Sequence, residues 1–239
     1  MSLTDDIEYV LKTSFKYPMD GLRPLLIGGG IYLIYTLAFF GLYVTALLGL
    51  SPLISLPPFI ITIPLIIVTY GYLVKVVREV GQGNEEVPDF QNWTGMFIDG
   101  LKLILVLLPW SIITMVVSFA PAVLMPFTGE STRFLLFIIT MGVYILVFSV
   151  YIYFLPAIIT NYCVEDDWHA AFDIGAIKEF SLNWTFVVAS LVFHAVYFVA
   201  TIVIYLSFLT VIGWAFVTFY FWMFTAAYWG YLYRRIMSE

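Results

Sequence analysis

Residues 24–74 read Pro24-Leu-Leu-Ile-Gly28-Gly29-Gly30-Ile-Tyr-Leu-Ile-Tyr-Thr-Leu-Ala-Phe-Phe-Gly41-Leu-Tyr-Val-Thr-Ala-Leu-Leu-Gly49-Leu-Ser51-Pro52-Leu-Ile-Ser-Leu-Pro-Pro-Phe-Ile-Ile-Thr-Ile-Pro64-Leu-Ile-Ile-Val-Thr-Tyr70-Gly71-Tyr72-Leu73-Val74, without one Asp, Glu, Lys or Arg. A hydrocarbon layer about 30 Å thick takes roughly 20 apolar residues per helix, so this run holds two spans joined by a tight turn at Gly49, Ser51 and Pro52. Three further charge-free runs, 103–129, 134–164 and 180–233, hold one, one and two spans by the same arithmetic. The sequence therefore predicts six helices near 25–48, 53–73, 103–125, 134–160, 184–208 and 211–232.

The composition agrees. Of 239 residues, 62% are hydrophobic and 11% charged, against about 25% charged in a soluble domain; the mean hydropathy is +0.99. A soluble enzyme with a membrane anchor is excluded, and residues 1–239 read as a single integral membrane domain. The N-terminal stretch carries charges of both signs and precedes an apolar run too long for a secretory signal, so the first span is expected to remain in the mature protein. Nine of the ten Lys and Arg residues fall on one side of the six spans, Arg133 alone on the other. Basic residues resist translocation, which places both termini in the cytoplasm and the chain in the cell membrane. The net charge of −6 leaves no basic surface for nucleic acid. Acidic clusters at Glu85, Glu86, Asp89 and at Glu165, Asp166, Asp167 read first as solvated loop ends and helix caps, and would suit a salt-rich cytoplasm or a cationic partner. The single Cys163 excludes an intrachain disulfide and reads as a small packing residue.

An internal repeat emerges on reading outward from Tyr70. Gly71-Tyr72-Leu73-Val74-Lys75 closes the second span and Gly230-Tyr231-Leu232-Tyr233-Arg234 the sixth. Pro156 precedes Cys163 at the end of the fourth span by the seven residues that separate Pro64 from Gly71. Asp20-Gly21-Leu22-Arg23 matches Asp99-Gly100-Leu101-Lys102 where odd spans begin, and the third copy, near Ser181, Asn183 and Trp184, has lost the charges. Each copy opens with a short amphipathic segment: Ile7, Val10, Leu11 and Phe15 after Thr4; Phe90, Trp93 and Phe97 after Asp89; Trp168, Phe172 and Ala176 after Asp166 or Asp167. These are expected to lie flat at the cytoplasmic interface. The predicted fold is all-α: a six-span bundle of three parallel pseudo-repeats, about 1–82, 83–165 and 166–239, each an interfacial helix plus a helical hairpin.

Gly71-Tyr72-Leu73 through Lys75 and Arg78, the linker Gly81-Gln82-Gly83-Asn84-Glu85-Glu86, Pro88-Asp89-Phe90 to Trp93, and Phe97-Ile98-Asp99-Gly100-Leu101-Lys102 together resemble a family of prokaryotic, largely archaeal, multi-pass membrane proteins catalogued as a domain of unknown function. The resemblance is sharpest over 70–105 and implies a full-length polytopic membrane protein, with no activity, cofactor or site residue carried over. The arrangement is also similar to the membrane domains fused to some glycerophosphodiester phosphodiesterases, whose soluble catalytic domain has no counterpart in this sequence.

Few residues offer chemistry. His194, near the middle of the fifth span, is a candidate proton relay or ligand; its ordinary reading is a neutral imidazole bonded to Ser190 or Tyr197. Pro64, Pro109 and Pro156 are candidate helix-kink positions. Gly28, Gly29, Gly30, Gly71 and Gly230 are expected to let helices approach closely. No catalytic, cofactor-binding or metal-ligating set is expected; Asp20, Asp99 and Asp173 stand alone, without a base or nucleophile beside them. The expected function is that of a non-enzymatic membrane scaffold or partner-binding protein, in contact with membrane lipids and with a protein partner or a second copy of itself. The alternative is a channel or carrier for a neutral or weakly polar solute.

Overall fold

A computed structural model describes residues 3–54 and 56–237. Its elements are α1 (Leu3–Asp20), α2 (Leu22–Leu47), a 3-10 turn at Pro52–Ile54, α3 (Leu56–Gly81), α4 (Trp93–Phe119), a 3-10 extension at Ala120–Phe127, α5 (Glu130–Glu165), a 3-10 turn at Trp168–Phe172, α6 (Ile174–Ser181), α7 (Trp184–Ser207) and α8 (Val211–Met237). Six of these, α2, α3, α4 with its extension, α5, α7 and α8, are long and apolar enough to cross a membrane. The protein is an all-α membrane protein with one helix for each span read from the sequence.

Three helices outrun their apolar segments. The α3, α5 and α8 helices continue to Gly81, Glu165 and Met237, past the spans predicted to end at 73, 160 and 232. No Pro or Gly interrupts 72–80, and Arg78, Arg234 and Arg235 in the last turns of α3 and α8 complement the negative helix ends.

The amphipathic segments take three different forms. The α1 helix forms, and its face with Ile7, Val10, Ser14 and Tyr17 buried lies against the end of α8. In the second copy no separate flat helix exists: Asn92 caps α4 by accepting from the Gly95 amide at 3.1 Å, and Trp93 and Phe97 occupy the first turns of that one continuous helix. The third copy is divided between the 3-10 turn at Trp168–Phe172 and α6.

The α3 and α8 helices are the most buried spans and form the inner set; α5 touches both but is buried mainly near its C-terminal end, over Ala157–Cys163, while most of the helix before that is exposed. Around them, α2 contacts α3 and α8, and α4 contacts α3 and α5. The α7 helix lies on α8 and meets α5 at its base, where the rings of Tyr153 and Phe186 are 5.6 Å apart. Both termini lie at one end, because Asp6 of α1 pairs with Arg235 of α8. That end holds much of the core: Tyr72, Tyr162, Phe219, Met223, Phe224, Tyr228 and Leu232 are fully buried.

Close crossings fall on glycine. A Cβ at Gly71 would meet the Met96 carbonyl oxygen at 1.6 Å, and one at Gly100 the Ile67 carbonyl oxygen at 2.0 Å, so α3 and α4 cross backbone to backbone. Gly230 faces Val80 and the Val77 carbonyl across the α3–α8 contact, while Gly28 and Gly29 receive the rings of Phe219 and Phe216. Gly30 has nothing within 4 Å of its missing Cβ, so the close approach expected of the triplet belongs to its first two members.

Candidate functional site

The polar side chains that bind elements together gather at the terminus-bearing end. Arg78, late in α3, donates Nε to the Cys163 carbonyl at 3.1 Å, lies 3.6 Å from Asp99 of α4 and pairs with Asp166, the left-handed C-cap of α5. Its side chain is 19% exposed and that of Asp99 22%, so this guanidinium joins three helices in a half-dry setting. Arg235 donates Nε to the 12%-exposed carboxylate of Asp6 at 2.8 Å, and Arg234 reaches Glu85 at 3.3 Å. Burial raises the Tyr17 hydroxyl well above the usual phenol range, and the neighbouring Tyr231 and Glu79 add to the shift.

Between α5, the following 3-10 turn, α6 and α8 lies an open cavity of about 460 Å³. Its lining includes Asn161, Glu165, Asp167, His169, Asp173 and Tyr233. Asn161, the one Asn in the apolar run 134–164, is 4% exposed; its amide donates to the Ala170 carbonyl at 2.7 Å and its oxygen accepts from the Tyr233 hydroxyl at 3.1 Å. Tyr233 also reaches Glu165 at 3.4 Å. The Asp167 carboxylate accepts from the His169 amide and lies 3.0 Å from its imidazole; the backbone bond first and the imidazole second hold its carboxyl below the usual range. Asp173 caps α6 by accepting from the Ala176 amide at 3.1 Å. Three carboxylates and no Lys or Arg line the cavity, so its potential favours a cation. Among the described residues no three of His, Cys, Asp and Glu converge as metal ligands.

His194 lies apart from this cavity. Its side chain is exposed on α7, and Nδ1 lies 2.6 Å from the Ser190 carbonyl oxygen, four residues back, which makes Nδ1–H the donor. Pro64, Pro109 and Pro156 sit within α3, α4 and α5, which continue through them. Of the lone carboxylates, Asp99 belongs to the Arg78 cluster, Asp173 to the cavity, and Asp20 pairs with Lys16 at 3.4 Å. Cys163 is fully buried. Two roles escaped the sequence reading. Arg78 counted only toward orientation, and its partners are 21 and 88 residues away; Asn161 left a usable signal, a lone amide in an apolar run.

The sequence model of a family described as "Protein of unknown function (DUF4013)" matches residues 56–212. The chain belongs to the DUF4013 family. The match runs from α3 to the start of α8, so it takes in the Gly71–Gly100 crossing, the Arg78 cluster and most of the cavity lining. No curated protein and no solved structure matches the chain.

Proposed function

We propose that this DUF4013 protein is a non-enzymatic membrane scaffold that holds a protein partner at its terminus-bearing face. The observation that carries the reading is the construction of that face. Inner helices filled with Tyr72, Tyr162, Phe219, Met223, Phe224 and Tyr228 lie beneath a layer of Arg–carboxylate braces. A partner needs a surface that does not deform, and charge-assisted bonds between helices supply one. The cavity beside Asn161 and Tyr233 gives a basic segment of the partner a seat among Glu165, Asp167 and Asp173. In this reading both termini face the cytoplasm of the cell, in keeping with nine of ten Lys and Arg residues on that side. The three units, about 1–82, 83–165 and 166–239, are parallel repeats; the mutual contacts of α3, α5 and α8, the second span of each unit, support this.

Mass spectrometry of the protein extracted with its native lipids tests the role. The scaffold reading expects a stoichiometric protein partner, released when Glu165, Asp167 and Asp173 are all changed to the corresponding amides. A solitary chain that retains a small solute, moves it across proteoliposomes and loses flux on His194→Ala would replace the scaffold with a carrier.

A further inference from the structure

The ten Lys and Arg residues divide into two groups. Seven have partners: Lys12 with Glu8, Lys16 with Asp20, Lys75 with the Asp89 carbonyl, Arg78 with Asp99 and Asp166, Arg133 with the Met125 and Thr128 carbonyls, Arg234 with Glu85, and Arg235 with Asp6. The other three, Arg23, Lys102 and Lys178, are exposed and make no side-chain hydrogen bond or ion pair among the described residues. Carboxylates outnumber cations 16 to 10, so a shortage of acids does not explain the three. Asp99, three residues before Lys102, is turned toward Arg78 instead.

Their positions correspond. Arg23 is the second residue of α2, Lys102 lies three residues beyond the Arg78–Asp99 pair in α4, and Lys178 lies in α6, which leads into α7. Each outer span thus has one such cation in its own first three turns or on the short helix that leads into it. Each cation also shares a helical face with exposed apolar side chains: Leu26 for Arg23, Ile98 and Leu105 for Lys102, Ile174 and Leu182 for Lys178. Helical side chains tilt toward the N-terminus of their helix, which for Arg23 and Lys102 is the terminus-bearing end of α2 and α4, and Lys and Arg extend such a stem to keep the charge in the polar layer. For Arg23 the position is unfavourable in isolation, since a cation in the first helical turn opposes the helix dipole. An external anion removes that penalty.

We infer that Arg23, Lys102 and Lys178 form a peripheral ring of three sites for the phosphate headgroups of anionic phospholipids, with acyl chains lying along the apolar residues beneath each cation. The inference does not rest on the scaffold reading, because a carrier would present the same ring. Charge complementarity selects the occupant: an isolated cation at the rim of an apolar helix face fits an amphiphile with an anionic head, whereas free phosphate has no use for the apolar flank.

The test uses the purified full chain in detergent micelles, titrated with short-chain phosphatidylglycerol or phosphatidylcholine and read by native mass spectrometry. The wild type retains up to three phosphatidylglycerol molecules in preference to phosphatidylcholine. Each of Arg23→Gln, Lys102→Gln and Lys178→Gln weakens one site about fivefold, the effect of one cation at an anionic surface. The triple variant loses the preference; the double variant Lys12→Gln, Lys16→Gln, which removes partnered cations, keeps it. The three side chains make no hydrogen bond or ion pair among the described residues, so no single variant lowers the thermal midpoint, and Arg23→Gln, which relieves the helix dipole, raises it slightly; that result certifies the fold. Undiminished phosphatidylglycerol preference in the single and triple variants overturns the inference. So does displacement of the lipid by millimolar inorganic phosphate, or a ring found occupied by an acidic protein.

Discussion

Replacing Gly71 by Ala strikes the tightest contact in the structure. The new methyl would lie 1.6 Å from the Met96 carbonyl oxygen, and ordinary van der Waals contact begins near 3.4 Å, so α3 and α4 must separate locally by about 1.8 Å. The obstructing atom is backbone in the first turn of α4, so no side-chain rotation relieves it. The same displacement opens the Gly100 contact with the Ile67 carbonyl, because both glycines occupy one crossing. Overpacking of this kind costs about 3 kcal/mol, the upper part of its usual range. Gly30→Ala is the control: nothing lies within 4 Å of that site, and Ala is favoured over Gly in a helix by about 1 kcal/mol. Gly71 and Gly30 both lie inside helices, so that gain is common to the two changes, and the two single-methyl additions should differ by about 3 kcal/mol in unfolding free energy. Unfolding in mixed micelles of increasing denaturing detergent, followed by tryptophan fluorescence, measures the difference. Gly71→Ala with Gly100→Ala should cost less than the sum of the two single changes, since one separation accommodates both methyls. Equal stability of Gly71→Ala and Gly30→Ala would refute the crossing.

Arg78→Met should destabilise the protein by about 3 kcal/mol, because it leaves the partly buried Asp99 without a counter-ion; Arg78→Lys recovers only part of the loss, since one ammonium cannot reach the Cys163 carbonyl and two carboxylates in the same geometry. The same detergent titration reads both variants, and a wild-type Arg78→Met would mean the cluster does not hold α3, α4 and α5 together. Asp167 should titrate below an ordinary aspartate, as followed by isotope-edited infrared spectroscopy of its carboxyl; a carboxylate depressed in the fold adds stability that is full above the ordinary range and vanishes as pH falls through the lowered value. His169→Ala removes the imidazole contact but keeps the backbone bond, so the titration should move only part of the way back, and a complete return would contradict the backbone bond as the larger cause.

Span number and approximate span limits were legible because charge is excluded from the bilayer core, a constraint that acts on single residues. Which spans form the inner set was not legible. Lipid and protein interiors are both apolar, so hydrophobicity does not separate the two ends of α5, where Phe134, Leu135, Ile145 and Leu146 are exposed and Ile158 and Tyr162 buried. Small residues carry that information, and Gly71, Gly100 and Gly230 do mark inner contacts. Gly30 shows the limit of the rule: consecutive helical residues point about 100° apart, so a triplet cannot present all three members to one neighbour. The flat helix expected from Phe90, Trp93 and Phe97 failed for a related reason. Its spacing is helical, but nothing between Trp93 and the span breaks the helix, and an uninterrupted helix satisfies more of its backbone than one that must end and restart. Arg78 was visible as a charge and invisible as a brace, because pairing across 88 residues leaves no local pattern.

The braces are unequal, and the inequality locates where the bundle yields. Arg78 ties α3 to α4 and α5, and Arg235 ties α8 to α1; both bonds are charge-assisted. The seam from α5 to α6 and α8 is closed mainly by neutral groups, Asn161 to the Ala170 carbonyl, Tyr153 to the Ser181 carbonyl and Tyr233 to Asn161, with one longer contact of 3.4 Å from Tyr233 to the Glu165 carboxylate. Neutral hydrogen bonds contribute about 1 kcal/mol each, roughly half of what a charged partner adds. The same seam carries Glu165, Asp167 and Asp173 around one cavity, and their mutual repulsion weakens it further. A cation brought there by a partner would offset that repulsion and do for the third seam what Arg78 does for the first. Under the proposed scaffold role, partner binding and closure of this seam are then one equilibrium. The partner's affinity is reduced by whatever fraction of the free protein holds the seam open.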